Sequence, residues 1–140
     1  MMNFLITAKL FHIASAVLFI GCIYFRNFIL PRARLVLDQA HFEAMESAMS
    51  PRTRMMGKIN NTILLLSGLF LAYTYYEPTN ALLHVKMAFG LSVITMFFGA
   101  PLIMHRFTGD KKRQIKTVYH HMMFALMVGI VILSQTMFAF

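Results

Sequence analysis

The residues of this chain that can do chemistry are a few cations placed where charge is otherwise avoided. Lys9 and His12 open one apolar stretch, and His84 and Lys86 open another in "ALLHVKMAFG" over residues 81–90. Arg26 closes the first stretch, His105 closes the later one, and His120 and His121 begin a fourth. An ionisable group at membrane depth costs about 2.5 to 3.5 kcal/mol on insertion scales, so each is a functional candidate. Imidazoles ligate metals and haem iron, whereas ammonium and guanidinium groups hold carboxylates and phosphates.

The elements that must position them follow from composition. The chain has 140 residues, 59% hydrophobic and 13% charged, with a formal net charge of +8. Leu10 to Phe25, Ile59 to Tyr76, Met87 to His105 and Met122 to Phe140 hold no Asp, Glu, Lys or Arg, and each with its flanks can cross a hydrocarbon core. This predicts an all-α integral membrane protein, an up-down four-helix bundle with spans over about 4–30, 51–76, 80–107 and 114–138. Between the first two spans, Phe42, Met45 and Met49 at helical spacing predict a short amphipathic cytoplasmic helix over about 38–49. Pro31 is expected to stop the first helix. Ser50 is expected to cap the second span with Pro51 at its first position, and Pro78, Thr79 and Asn80 to turn and cap the third. Gly109 is expected to stop the third helix and Asp110 to cap the fourth.

The basic residues cluster in two loops, Arg32 to Lys58 and Arg106 to Lys116. Both lie at one end of such a bundle, so the positive-inside rule places them in the cytoplasm of a bacterial inner membrane, with both termini outward. The charge then reads as contact with anionic membrane lipids rather than with nucleic acid. Cys22, the single cysteine, excludes an internal disulfide.

With about 1.5 Å of rise per residue, His12 and Lys86 lie at similar depths, each roughly 10 Å below the outer start of its helix. A ligand can bridge them, with Lys9 and His84 above. His84 and Lys86 point about 200° apart, so they are alternatives for one inward role. His12 shares a stripe with Phe19 and Arg26, flanked by Ala14, Ser15 and Ala16. Gly90 leaves space below Lys86. Room of this kind suits a large planar ligand between the first and third spans, and haem b held by an axial imidazole is the obvious one. A second haem or metal site would use His105 and His120. Thirteen methionines raise the alternative of copper, which thioethers bind well as Cu(I), held by His12, His84 and nearby methionines. Scattered over every helix, however, the methionines read first as packing. Tyr73, Tyr75 and Tyr76 read as an outer aromatic belt.

"KLFHIASAVLFIGCIYF", "FEAMESAM" and above all "LLHVKMAFG" resemble the HemJ-type protoporphyrinogen oxidases and the related CopD copper-resistance membrane domain. The resemblance spans nearly the whole chain. It implies a haem b beside the first-span histidine and third-span lysine, which match His12 and Lys86, and oxidation of a porphyrin precursor with electrons passed to a quinone-type acceptor. Lys86 is on that footing an expected catalytic residue; Arg26, the other one, is expected from its place near the inner end of the first span, where it can bind a carboxylate or a lipid phosphate or simply snorkel. The chain departs from HemJ in having no tryptophan, with Phe19 at the usual place, and no Asn-Glu-Pro signature; "FRNFILPRAR" is closer to CopD. A homo-oligomer, or an accessory subunit of a respiratory complex, is the remaining expectation for partners.

Overall fold

The computed structural model describes residues 2–139, and among them there are helices and no strands. The first span is α1, Met2–Tyr24, followed by a π turn, Phe25–Ile29, and a single-turn α2, Leu30–Ala33. Next come α3, Gln39–Thr74, α4, Ala81–Met104, and α5, Gly109–Ala139. Four helical stretches are long and apolar enough to cross a membrane.

Three boundaries differ from the sequence expectations. Pro31 does not end the first helix, because the backbone accommodates it. A proline lacks the N–H that would bond the Asn27 carbonyl, and its ring crowds that carbonyl. The chain widens into the π turn ahead of it, with the Leu30 N–H donating to the Phe25 carbonyl, and helix resumes through Ala33.

The separate amphipathic helix and the second span are one helix. Pro51 lies inside α3 and Ser50 caps nothing; the cap is Asp38, whose carboxylate accepts the His41 N–H at 2.9 Å. An interior proline costs roughly 3 kcal/mol. Here Pro51 is exposed, where water can reach the carbonyl left without a partner. The turns before it are anchored by buried Phe42, beneath the Arg34 guanidinium, and by Glu46, which accepts from Lys116 at 2.8 Å.

The third helix also ends early, at Met104. Arg106 and Phe107 make tight bonds to the Ile103 and Met104 carbonyls, and the chain turns at Gly109, whose φ of 59° suits glycine. Asp110 then sits in the first turn of α5 beside Arg113 instead of capping it. The Asn80 cap on α4 stands as expected, accepting from the Leu83 N–H at 3.0 Å.

Hydrogen bonds from the His41 backbone and ring hold the exposed Asp38 carboxyl below its usual range. A lowered folded value means that the cap stabilises the helix start above the ordinary carboxylate range and loses this as pH falls through and below about 4. Amides at the start of α3 are therefore expected to exchange faster with deuterium at pH 3 than the intrinsic rate accounts for. Asp38→Ala should remove that excess pH dependence.

The bundle is two antiparallel helix pairs, α1 with α3 and α4 with α5, joined by lighter contacts of α1 with α5 and α3 with α4. The core between them is Phe19, Ile23, Leu64, Val93, Met123 and Met127. Met123 and Met127, spaced i,i+4, are thus packing, the reading favoured from their distribution. Elsewhere the surface is apolar: Leu18, Leu66, Leu102 and Ile132 are all more than half exposed. Such a surface is stable against hydrocarbon, not water.

Candidate functional site

His12 is half-buried on α1 and turns toward α3. Its Nδ1 lies 3.2 Å from the Ser67 hydroxyl, and Ser67 donates its own proton to the Ile63 carbonyl at 2.7 Å. Ser67 Oγ is therefore the acceptor and His12 Nδ1 the donor. The remaining nitrogen, Nε2, carries a lone pair, the state in which an imidazole ligates a metal. A carboxylate or hydroxyl behind a ligating imidazole serves to fix its tautomer and its plane.

Close approach makes this possible. A Cβ built on Gly68 would stand 3.0 Å from His12 Cε1, so only glycine leaves the ring in place without displacement. The expected space beside His12, from Ala14 and Ala16, is not what receives the ring. Ala14 is exposed and Ser15 is buried with its carbonyl accepting from Asn60 at 2.9 Å. Gly90 faces open space. The imidazole consequently rests on the second span, not between the first and third.

Lys86 stands on α4, the helix that makes no extensive contact with α1, and lies within electrostatic range of His12. It is half-buried and has no hydrogen bond or ion pair among the described residues. His84, its alternative for the inward role, has Nδ1 on the Asn80 carbonyl at 2.7 Å and the Tyr76 ring edge-on at 5.7 Å. Lys9 is exposed over the Tyr75 ring, 4.8 Å from its centroid. Toward the end of the bundle where α1 begins, a groove of about 1080 Å³ runs between α1, α3 and α4, with Phe4, Leu69, Phe70, Tyr73 and Met87 in its walls. Its walls include neither His12 nor Lys86: Leu69 and Met87 follow Gly68 and Lys86 in sequence but are turned about 100° away on their helices.

Arg26 does not share this site. It lies on the π turn, about four helical turns and roughly 20 Å below His12. His105 is exposed at the end of α4. His120 is half-buried on α5, with Nδ1 on the Lys116 carbonyl at 2.7 Å and its own carbonyl accepting from Asn27 at 3.1 Å. The charges acting on His120 are Arg26, Lys116 and His121, not His105. Among the described residues no three His, Cys, Asp or Glu side chains converge as a metal-binding group.

Sequence reasoning missed the polar residues that organise the interior. Asn61 is fully buried, with Nδ2 on the Gly57 carbonyl at 2.9 Å and Oδ1 without a partner. Asn27, Asn60 and Ser67 bond across helix interfaces. A search restricted to ionisable groups passes over them, although an amide or hydroxyl in a span also needs an internal partner. The signal available was "KINNT" and "LLLSG" inside an apolar run.

No family model, curated protein or solved structure matches the chain.

Proposed function

We propose that this is a multi-pass protein of the bacterial inner membrane that binds haem b between His12 and Lys86 and works as an oxidoreductase. It resembles HemJ in taking electrons from a reduced porphyrin precursor or similar donor and passing them to a quinone-type acceptor. The observation that carries this reading is the state of His12: Ser67 holds Nδ1 as a donor and leaves Nε2 free to ligate. The donor set suits the group. A neutral imidazole is a haem ligand, and the unpaired Lys86 ammonium suits a propionate. Bound haem would supply a one-electron carrier; the chain's own residues orient it, neutralise its carboxylate and shield it from water. The basic ends then face the cytoplasm and both termini face outward.

Copper is the competing occupant, and the geometry favours it less. The Tyr76 ring stands edge-on against the His84 imidazole, while Met123 and Met127 are in the core. One measurement separates the two: pigment and metal analysis of detergent-purified protein expressed with ample haem. A Soret band with haem near one per chain is expected. Stoichiometric copper with no porphyrin would replace this reading with the CopD-like one.

A further inference from the structure

At the basic end of the bundle, α1 and α3 enclose a second cavity, of about 150 Å³, with Arg26, Glu46, Ser50 and Thr53 as its polar walls. A water occupies roughly 30 Å³ of liquid, so the space equals that of about five waters, enough for a tetrahedral oxyanion. The π turn presents Arg26 to this cavity half-buried, and Arg26 has no hydrogen bond or ion pair among the described residues. The only carboxylate present is already taken: Glu46 Oε1 accepts from Lys116 at 2.8 Å. Arg34 also acts electrostatically on Glu46, so three cations, Arg26, Arg34 and Lys116, face one carboxylate. The Thr53 hydroxyl donates to the Met49 carbonyl at 2.8 Å, whereas that of Ser50 has no partner among the described residues and is a free donor.

We infer that this cavity is a phosphate-binding site, with the Arg26 guanidinium as its main ligand and the Ser50 hydroxyl as a second donor. A phosphate oxyanion offers two oxygens to the guanidinium fork, and its charge balances an excess that Glu46 leaves uncompensated. Glu46, although it lines the cavity, has its charge offset by Lys116. The phosphate can come from an anionic phospholipid headgroup or from free phosphate. The inference is independent of the cofactor reading.

Cys22, the only cysteine, lines the same cavity and reports on it. The rate of N-ethylmaleimide labelling of the full chain is measured in phosphatidylcholine nanodiscs, with phosphatidylglycerol added to one arm and inorganic phosphate to another. Labelling is expected to slow about tenfold or more in at least one arm at ligand concentrations about ten times Kd or higher, since occupancy sets the protection. Slowing by phosphatidylglycerol alone identifies a headgroup; equal slowing by inorganic phosphate identifies the free anion. Arg26→Gln should abolish the protection, Arg26→Lys should keep part of it, and Arg54→Gln, exposed outside the cavity, should keep all of it. Ser50→Ala, which leaves every charge in place, should weaken it severalfold and serves if Arg26→Gln does not fold. No slowing of the native chain in either arm, or full protection in Arg26→Gln, overturns the inference.

Discussion

His12→Ala is expected to abolish the Soret band of protein purified from haem-supplied cells, while His84→Ala retains it. The difference follows from the geometry rather than from residue type. Both are half-buried histidines near the same end of the bundle with Nδ1 held as a donor, His12 by Ser67 and His84 by the Asn80 carbonyl; what separates them is that Lys86 lies within electrostatic range of His12 while the Tyr76 ring stands edge-on against His84. His84 is hydrogen-bonded within its own helix turn. Ser67→Ala tests the same idea without touching the ligand. Freed from its acceptor, the imidazole loses its enforced tautomer and plane, and haem affinity should fall about 10- to 100-fold, the usual effect of removing a partner behind a ligating histidine. Gly68→Val should do likewise by steric displacement, since even a Cβ there meets the ring at 3.0 Å. Lys86→Ala should weaken retention and Lys86→Arg preserve much of it, because its part is charge for a carboxylate. Titration of haem into each variant, followed at the Soret maximum, gives all of these numbers. If His12→Ala keeps the band and His84→Ala loses it, the ligand is the wrong histidine.

How far the sequence could be read depended on whether a feature was local. Four charge-free runs announced four helices long and apolar enough to cross a membrane, since an unpaired backbone or a charge in hydrocarbon costs too much to be scattered. The Asn80 cap was equally legible, because a cap is decided within four residues. The continuity of α3 was not. Pro51 and Ser50 carry every local sign of a helix start, and what overrules them is remote: Lys116 on α5 holding Glu46, and Arg34 lying over Phe42. The π turn escaped notice for a similar reason, as the bond from Leu30 to Phe25 is one of several ways to live with Pro31. At the site, the depth match of His12 with Lys86 needed only helical rise. The facing surface, Ser67 with Gly68, required knowing that α1 pairs with α3, and helix pairing leaves no mark in either helix alone.

A large stability loss is expected at Gly57 from any long side chain, because there the two halves of the bundle meet. A Cβ at this position would stand 2.8 Å from Phe97 Cζ and 3.1 Å from Cε2, closer than real contacts allow. Phe97 has little room to retreat, being packed edge-on against Phe19 at 5.7 Å and Phe98 at 5.3 Å. Gly57→Ala therefore sets a helix-propensity gain of about 1 kcal/mol against a clash of similar size, and should be near neutral or slightly harmful. Gly57→Leu adds three more carbons to the same clash, so overpacking of about 3 kcal/mol or more dominates. Because α3 and α4 touch over only a short stretch, while α1 with α3 and α4 with α5 are extensively paired, the strain acts on the seam between two helix hairpins. The thermal midpoint in nanodiscs should fall by roughly 10 °C. Phe97→Ala alone should also destabilise, by about 3 to 5 kcal/mol. In the double variant the leucine occupies the space the ring vacates, so the combined loss should be smaller than the sum of the two by about 1 to 3 kcal/mol. Additivity to within about 0.5 kcal/mol would mean that Gly57 and Phe97 do not meet, and the seam would have to lie elsewhere.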